Sequence, residues 1–258
     1  MKFPPKYDRH DYITWHENHF PNDQNFEQKL RDFREKLMTE AKDDLEFISN
    51  FVQSVISMAS HSYQVDHGSS LNAEFPLLNI LIQKKLGAEY ELLFKSEESI
   101  INKLWRKNRI GDEVELANIK ANITDLVRTE IITPTLESCK FLARRLEHRN
   151  IYLPDKKQEK EFKEKIDGIS FEPEMKMASG YFAYHGIISC KSGLQIEVQI
   201  YSTLMKVWRK LSHKLYDKAR IRTAPKLLDY GTTETRLISL GHLLHLAECE
   251  LTRLDDEL

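Results

Sequence analysis

Lys95, Ser99 and Lys103 recur at four-residue steps in KSEESIINK. On a helix, that spacing sets them on one face, a turn apart. Ser96 is an N-cap type at the head of the run. Two ammonium groups beside a helix N-terminus can hold a polyphosphate; a basic surface helix would carry the same pattern. Asp125 opens the β-rich run DLVRTEIIT, and Glu197 stands within LQIEVQI. Two carboxylates from adjacent strands suit Mg²⁺, which takes few protein carboxylates and fills its other positions with phosphate and water. Either one alone more often serves a salt bridge. Gly180-Tyr181-Phe182-Ala183-Tyr184-His185 is the next segment. Gly180 frees the backbone for a turn, and strand alternation puts Tyr181, Ala183 and His185 on one face. That face is either a base-stacking platform or part of a packed core. Finally, Lys206, Arg209, Lys210, His213, Lys214, Lys218, Arg220 and Arg222 form one cationic stretch. It is either a solvated helix or a contact for phosphate groups.

The elements that must position these residues follow from periodicity. Phe26, Leu30, Phe33 and Leu37 predict a helix over Asn25–Ser57, started by Pro21-Asn22-Asp23 and broken by the polar stretch Ala59–Asn72. Phe75–Leu86 reads as a shorter helix ending at Gly87, and Glu89–Lys95 as a short strand. A helix from Ser96, a strand from Asp125 stopped by Pro134, and a helix over Thr135–His148 come next. Asn150–Leu153 reads as extended, and Lys156–Lys165 as a solvated charge run in a loop or on a helix face. Gly180–Cys190 and Leu194–Ser202 flank Lys191-Ser192-Gly193 and predict a hairpin. In its second arm Leu194, Ile196, Val198 and Ile200 alternate with Gln195, Glu197 and Gln199. Thr203–Ala219 and Thr232–Leu254 read as helices. Strands alternating with helices, plus one hairpin, predict an α/β (α+β) fold with a mixed sheet flanked by helices. His16 and His19 read as surface residues of an N-terminal cap; His61, Asp66 and His67 flank a polar loop, but no second His-Asp pair supports a hydrolase-type metal site.

The 258 residues are 41% hydrophobic and 30% charged, which excludes a collagenous or wholly disordered chain. No apolar run approaches the ~20 residues of a membrane span, and the N-terminus lacks the apolar core of a signal peptide. Cys139, Cys190 and Cys249 lie far apart, which excludes a disulfide framework or cysteine zinc site and fits a cytoplasmic location. A net charge of −2 gives no global drive toward nucleic acid.

Together these segments resemble the RelA/SpoT nucleotidyltransferase family, which makes the (p)ppGpp alarmones. The resemblance runs from about Tyr90 to Lys218. The family carries R-x-K-x-x-x-S-x-x-x-K, matched by Lys95, Ser99 and Lys103. Its D-L-x-x-x-R is matched by Asp125 and Leu126, and its G-Y-x-S-x-H by Gly180, Tyr181 and His185, with Ala183 for serine. Its E-[IV]-Q-[IV]-R-T is matched by Glu197, Val198, Gln199 and Ile200. Trp208, His213, Lys214, Tyr216 and Lys218 match the closing helix. Leu93, Glu130 and Tyr201 replace three family arginines, removing guanidiniums suited to bidentate phosphate contacts.

The resemblance implies a nucleotidyltransferase-like core at 89–222, a helical extension at 1–88 and a C-terminal helix at 223–258, in a small stand-alone member. It implies ATP phosphates bound at Lys95, Ser99 and Lys103, and Mg²⁺ bridging Asp125 and Glu197. His185 joins these two carboxylates as a catalytic group orienting phosphate or acceptor. The acceptor is implied to lie at Tyr181, His213 and Lys214. The acceptor is GDP or GTP in the usual synthetases, while a toxin branch, checked by an antitoxin, modifies the 3′ end of tRNA. A degenerate nucleotide- or RNA-binding protein is the third reading, and a homo-oligomer a further expectation.

Overall fold

The computed structural model describes residues 2–82, 87–148, 156–176, 178–220 and 231–257. Helix α1 (Arg9–His19) starts at Asp8, whose side chain accepts the Asp11 N–H. Two helices replace the single one expected after Asn25. α2 (Phe26–Glu40) and α3 (Lys42–His67) meet at Ala41, and α3 runs through the segment predicted to break it. Ala59 and Tyr63 are buried there, so an inward apolar stripe continues beneath the polar residues. Gly68, at φ 64°, ends the helix in the left-handed conformation.

α4 (Pro76–Ile82) is followed by α5 (Ala88–Glu91), which lies where a strand was expected. Tyr90 explains the change: its ring is buried and its hydroxyl donates to the Met38 carbonyl at 2.7 Å, docking the turn on α2. Pairing survives only at the end of the segment, where Phe94 bridges Val127. α6 (Glu97–Arg109) is capped by Ser96, whose Oγ accepts the Ser99 N–H at 3.3 Å. α7 (Ile119–Asn122) leads to β1 (Val127–Thr133). α8 (Leu136–Glu147) has a Thr135–Ser138 capping box. α9 (Lys156–Lys165) settles the charge run as a helix, with Phe162 buried beneath it. The extended piece expected at Asn150–Leu153 lies outside the described residues.

β2 (Ile166–Lys176), β3 (Tyr181–Cys190) and β4 (Gln195–Ser202) complete the sheet, followed by α10 (Thr203–Arg220) and α11 (Thr233–Glu257). The described strands lie in the order β1-β4-β3-β2. β1 and β4 are parallel, and β3 is antiparallel to both β4 and β2. This is the expected mixed sheet flanked by helices, with the expected hairpin. β2 was not foreseen: Asp167, Gly168 and Pro173 are poor strand formers, tolerated at an edge. Phe171 of β2 lies over Gly186, where a Cβ would stand 2.3 Å from its ring.

Ile196, Val198 and Ile200 face a core that extends to Tyr12 and Leu45. On the opposite face Ile132, Tyr181, Tyr201, Met205 and Trp208 form a smaller cluster beneath α10 and α11. Trp208 ties the two helices together by donating to the Leu237 carbonyl at 2.8 Å. Gly180, at φ 71°, lies against Gly241 of α11, where a Cβ would be 2.2 Å from the Gly180 oxygen. No helix among the described residues is long and apolar enough to cross a membrane.

Candidate active site

The second face of the sheet carries the chemistry, because alternation there exposes polar side chains. Arg128 pairs in register with Glu197, and Glu130 with Gln199. Gln199 in turn pairs with His185 across the hairpin. Side chains from β1, β4 and β3 are thus gathered on one patch, while α6 approaches from the β1 end and α10 crosses above.

Asp125, just before β1, is clamped by two lysines. Lys95 donates to its Oδ2 at 2.7 Å and Lys103 to its Oδ1 at 2.5 Å. Burial opposes charge on Asp125, but the two ammonium groups more than reverse this and hold its pKa at about 2. Lys95 is itself nearly buried, which lowers its pKa against the pull of Asp125. Ser99 lies between the lysines on the same helix face, as the four-residue spacing predicts.

Glu197 anchors a second cluster. His185 Nδ1 lies 3.0 Å from Glu197 Oε1 and 2.6 Å from Glu174 Oε2. Two carboxylates at Nδ1 put the ring proton there, so Nε2 accepts from the Tyr181 hydroxyl at 2.9 Å. Gln199 also donates to Glu197 Oε1 at 3.0 Å. Burial pushes the Glu197 pKa up, yet these hydrogen bonds bring it below the ordinary carboxylate value. Asp125 is close enough to oppose that shift, so the two carboxylates feel each other's charge. Carboxylate oxygens are the hard donors that Mg²⁺ takes; here both oxygens of Asp125 are held by Lys95 and Lys103.

A third cluster spans helix and sheet. Tyr201 donates its hydroxyl to Glu130 Oε2. Arg209 of α10 lies with its guanidinium carbon 4.3 Å from the centre of the Tyr201 ring and 5.8 Å from that of Tyr181. Its Nη1 is 3.6 Å from Glu130 Oε2.

Two cavities flank this cluster. One, of about 520 Å³, is lined by Lys95, Ser99, Arg106, Tyr181 and His185 among others. The other, of about 490 Å³, has an apolar wall of Leu77, Ile80, Leu92 and Leu93, with Glu130 beside it. Arg128, Gln199, Arg209 and His213 line both cavities. Each volume is in the range of a small-molecule site.

Lys95, Ser99, Lys103, Asp125, Glu197, His185, Tyr181 and His213 are therefore brought to one region. Lys214 is not: it lines a separate groove between α10 and α11, with Leu211 and Leu240. Of the basic stretch, Lys206 pairs with Glu74 at 2.6 Å, while the side chains of Lys218, Arg220 and Arg222 lie outside the described residues. Tyr181 lines the first cavity but is only 8% exposed, packed between Trp208, His185 and Arg209. Sequence reasoning missed Arg128, Arg106 and Glu174. Arg128 shares its strand face with Glu130, and Arg106 follows Lys103 by three residues, so both were findable by periodicity. Glu174 was hidden because β2 was not read. His16 corrects another expectation: read as a surface residue, it is fully buried, 2.8 Å from Asp23. Burial lowers its pKa, and the pair serves the packing of α1.

Residues 94–221 match the sequence family described as "Region found in RelA / SpoT proteins". The chain belongs to the RelA/SpoT family. As a member it is a pyrophosphotransferase. Among solved structures, small alarmone synthetase 1 from Bacillus subtilis bound to its product pppGpp is 15% identical. The match covers 86% of this chain and 96% of that one, with a TM-score of 0.52. That likeness carries the RelA/SpoT fold. A GTP pyrophosphokinase family protein from Streptococcus pneumoniae is 17% identical, over 91% and 94% of the two chains, with a TM-score of 0.49. Small alarmone synthetase 2 from Bacillus subtilis is 18% identical, over 85% and 98%, with a TM-score of 0.47. No curated protein matches significantly. Of the three positions where the resemblance implies arginines, Glu130 and Tyr201 are bonded to one another, and Leu93, just ahead of the matched region, lies in the apolar wall of the second cavity.

Proposed function

We propose that the chain transfers the β,γ-pyrophosphate of ATP to the ribose 3′-hydroxyl of GDP or GTP. The observation that carries this reading is the pair of cavities with a common wall of Arg128, Gln199, Arg209 and His213. Two adjoining sites of nucleotide size, with two guanidiniums in the wall between them, suit two nucleotides meeting through their phosphates. The Bacillus subtilis relative described as bound to pppGpp supports a guanine nucleotide as acceptor.

In this reading Lys95 and Lys103 turn from Asp125 to the phosphates of ATP, with Ser99 and Arg106 alongside. Asp125 and Glu197 would hold Mg²⁺, which when bound supplies positive charge against the phosphates. The acceptor hydroxyl oxygen forms a bond to the β-phosphorus, and the bond from that phosphorus to the bridging α–β oxygen breaks. AMP leaves with that oxygen. Glu197 takes the hydroxyl proton; its Oε1 is engaged by His185 and Gln199, and the lowered pKa keeps it ionised near neutral pH. His185, fixed by Glu174 and Tyr181, orients Glu197. The remaining work is positioning and charge neutralisation.

The tRNA alternative loses support from α10. A long acceptor needs a continuous cationic track, whereas among the described side chains Lys206 is paired with Glu74 and Lys214 faces the other groove. The test is incubation with γ-labelled ATP, Mg²⁺ and either GDP, GTP or bulk tRNA. Label on GDP or GTP is expected. Label on tRNA alone would replace the acceptor, and label on none of them would remove the transfer reaction.

A further inference from the structure

We infer that Arg209 is a phosphate-binding residue at the junction of the two cavities, held ready by Glu130 and Tyr201; this deepens the reading proposed above and rests on it for the identity of the ligand. The guanidinium is a charged fork with unused donors. Its Nη1 is buried and makes no hydrogen bond. Glu130 does not supply one: its Oε2 takes the Tyr201 hydroxyl and stays 3.6 Å from Nη1, an ion-pair distance. Charge is balanced while hydrogen-bonding capacity is left over, an arrangement buried polar groups seldom keep.

The surroundings indicate what would use that capacity. Arg209 lines both cavities, and its neighbours in the shared wall include Arg128 and His213. Arg128 is exposed and makes no ion pair among the described residues. Two guanidiniums therefore meet in this wall, and that of Arg128 has no ion pair among the described residues. A phosphate offers several acceptor oxygens in the geometry that a guanidinium fork matches. The fork is also fixed. Tyr201 lies under it at 4.3 Å, Tyr201 is itself buried, and Glu130 holds the hydroxyl of that ring. Glu130 and Tyr201 thus act as positioning residues. These two strand positions, where the family motif implies arginines, here frame an arginine delivered from α10.

Binding of inorganic tripolyphosphate to the full chain tests this without requiring turnover. Calorimetry and the thermal midpoint with and without tripolyphosphate are compared for wild type, Arg209→Ala and Arg236→Ala. Arg236 lines the separate groove between α10 and α11 and controls for loss of one charge. Arg209→Ala should weaken tripolyphosphate binding on the order of tenfold and abolish most of the ligand-induced rise in midpoint. The ligand-free midpoint should change little, and Arg236→Ala should bind as wild type does. An Arg209→Ala affinity within about twofold of wild type would overturn the inference, as would equal weakening in Arg236→Ala. If Arg209→Ala fails to fold, Arg209→Gln, which keeps the stem over Tyr201, is read by the same two outcomes. Steady-state transfer separates this from the proposed reaction. Normal ATP and GDP kinetics in a folded Arg209 variant would remove Arg209 and leave the reaction standing. Lost tripolyphosphate binding in a protein whose wild type transfers nothing would do the reverse.

Discussion

Lys103 donates to Asp125 at 2.5 Å, from a helix to the residue that leads into the first strand. With Lys95 on the other oxygen, the carboxylate is the hinge on which α6 meets the sheet. The bond that would be exchanged for phosphate is thus also a structural one. Asp125→Asn should therefore do two things. Transfer should fall by at least ~100-fold, the loss of a charge that positions phosphate. The thermal midpoint should also drop, because Lys95 is nearly buried and loses its counter-charge, a cost of roughly 3 kcal/mol. Differential scanning calorimetry beside the activity assay checks both.

Glu197→Gln separates the two roles. Gln keeps the shape and can still accept from Gln199 and His185, so the midpoint should hold. Transfer should fall by at least ~100-fold, because the proton acceptor is gone. A folded Glu197→Gln protein with wild-type turnover would remove Glu197 from the site.

The Asp125 clamp sets a pH dependence. The folded-state pKa of about 2 lies below the ordinary value of 3.8. A depressed carboxylate pKa contributes stability that is present above the unfolded value and lost as pH falls through the folded one. The contribution, on the order of 2 kcal/mol, should disappear between about pH 4 and pH 2. Denaturant midpoints across that window should fall more steeply in wild type than in Asp125→Asn.

Tyr181 needs a gentler substitution than alanine. Its ring is 8% exposed and part of the second core cluster, so Tyr181→Ala should cost about 3–5 kcal/mol in stability. Tyr181→Phe removes only the hydroxyl that His185 Nε2 accepts from at 2.9 Å. It should leave melting within about 1 kcal/mol and lower kcat by roughly tenfold through a loosened His185. Unchanged kcat in Tyr181→Phe would show that the His185 ring does not depend on this bond.

Gly241→Ala tests how α11 supports the site. A Cβ there would meet the Gly180 oxygen at 2.2 Å, a backbone atom with little room to yield. Destabilisation of about 1–3 kcal/mol is expected, together with reduced transfer, because Gly180 leads directly into Tyr181. Urea unfolding and kinetics on the same preparation read both effects.

What was legible in the sequence follows from local physics. The alternation through Glu197 was readable because one face of β4 is apolar and the other polar, and the structure keeps that division. The cap at Ser96 was readable from residue type and position. Glu89–Lys95 was misread because a tertiary contact, Tyr90 to Met38, overrode strand propensity. β2 was missed because an edge strand tolerates Pro173 and Gly168, and Glu174 was lost with it. Glu130, Tyr201 and Arg209 come from three elements, with Tyr201 and Glu130 separated by 71 positions. No local pattern could have paired them.

Phosphorus NMR of the reaction of ATP, GDP and Mg²⁺ with the purified chain reads which phosphorus moves. Pyrophosphate transfer gives AMP together with a guanosine nucleotide carrying a new 3′-diphosphate, in equal amounts. ADP with a single transferred phosphate, or AMP with free pyrophosphate and unmodified GDP, would contradict it.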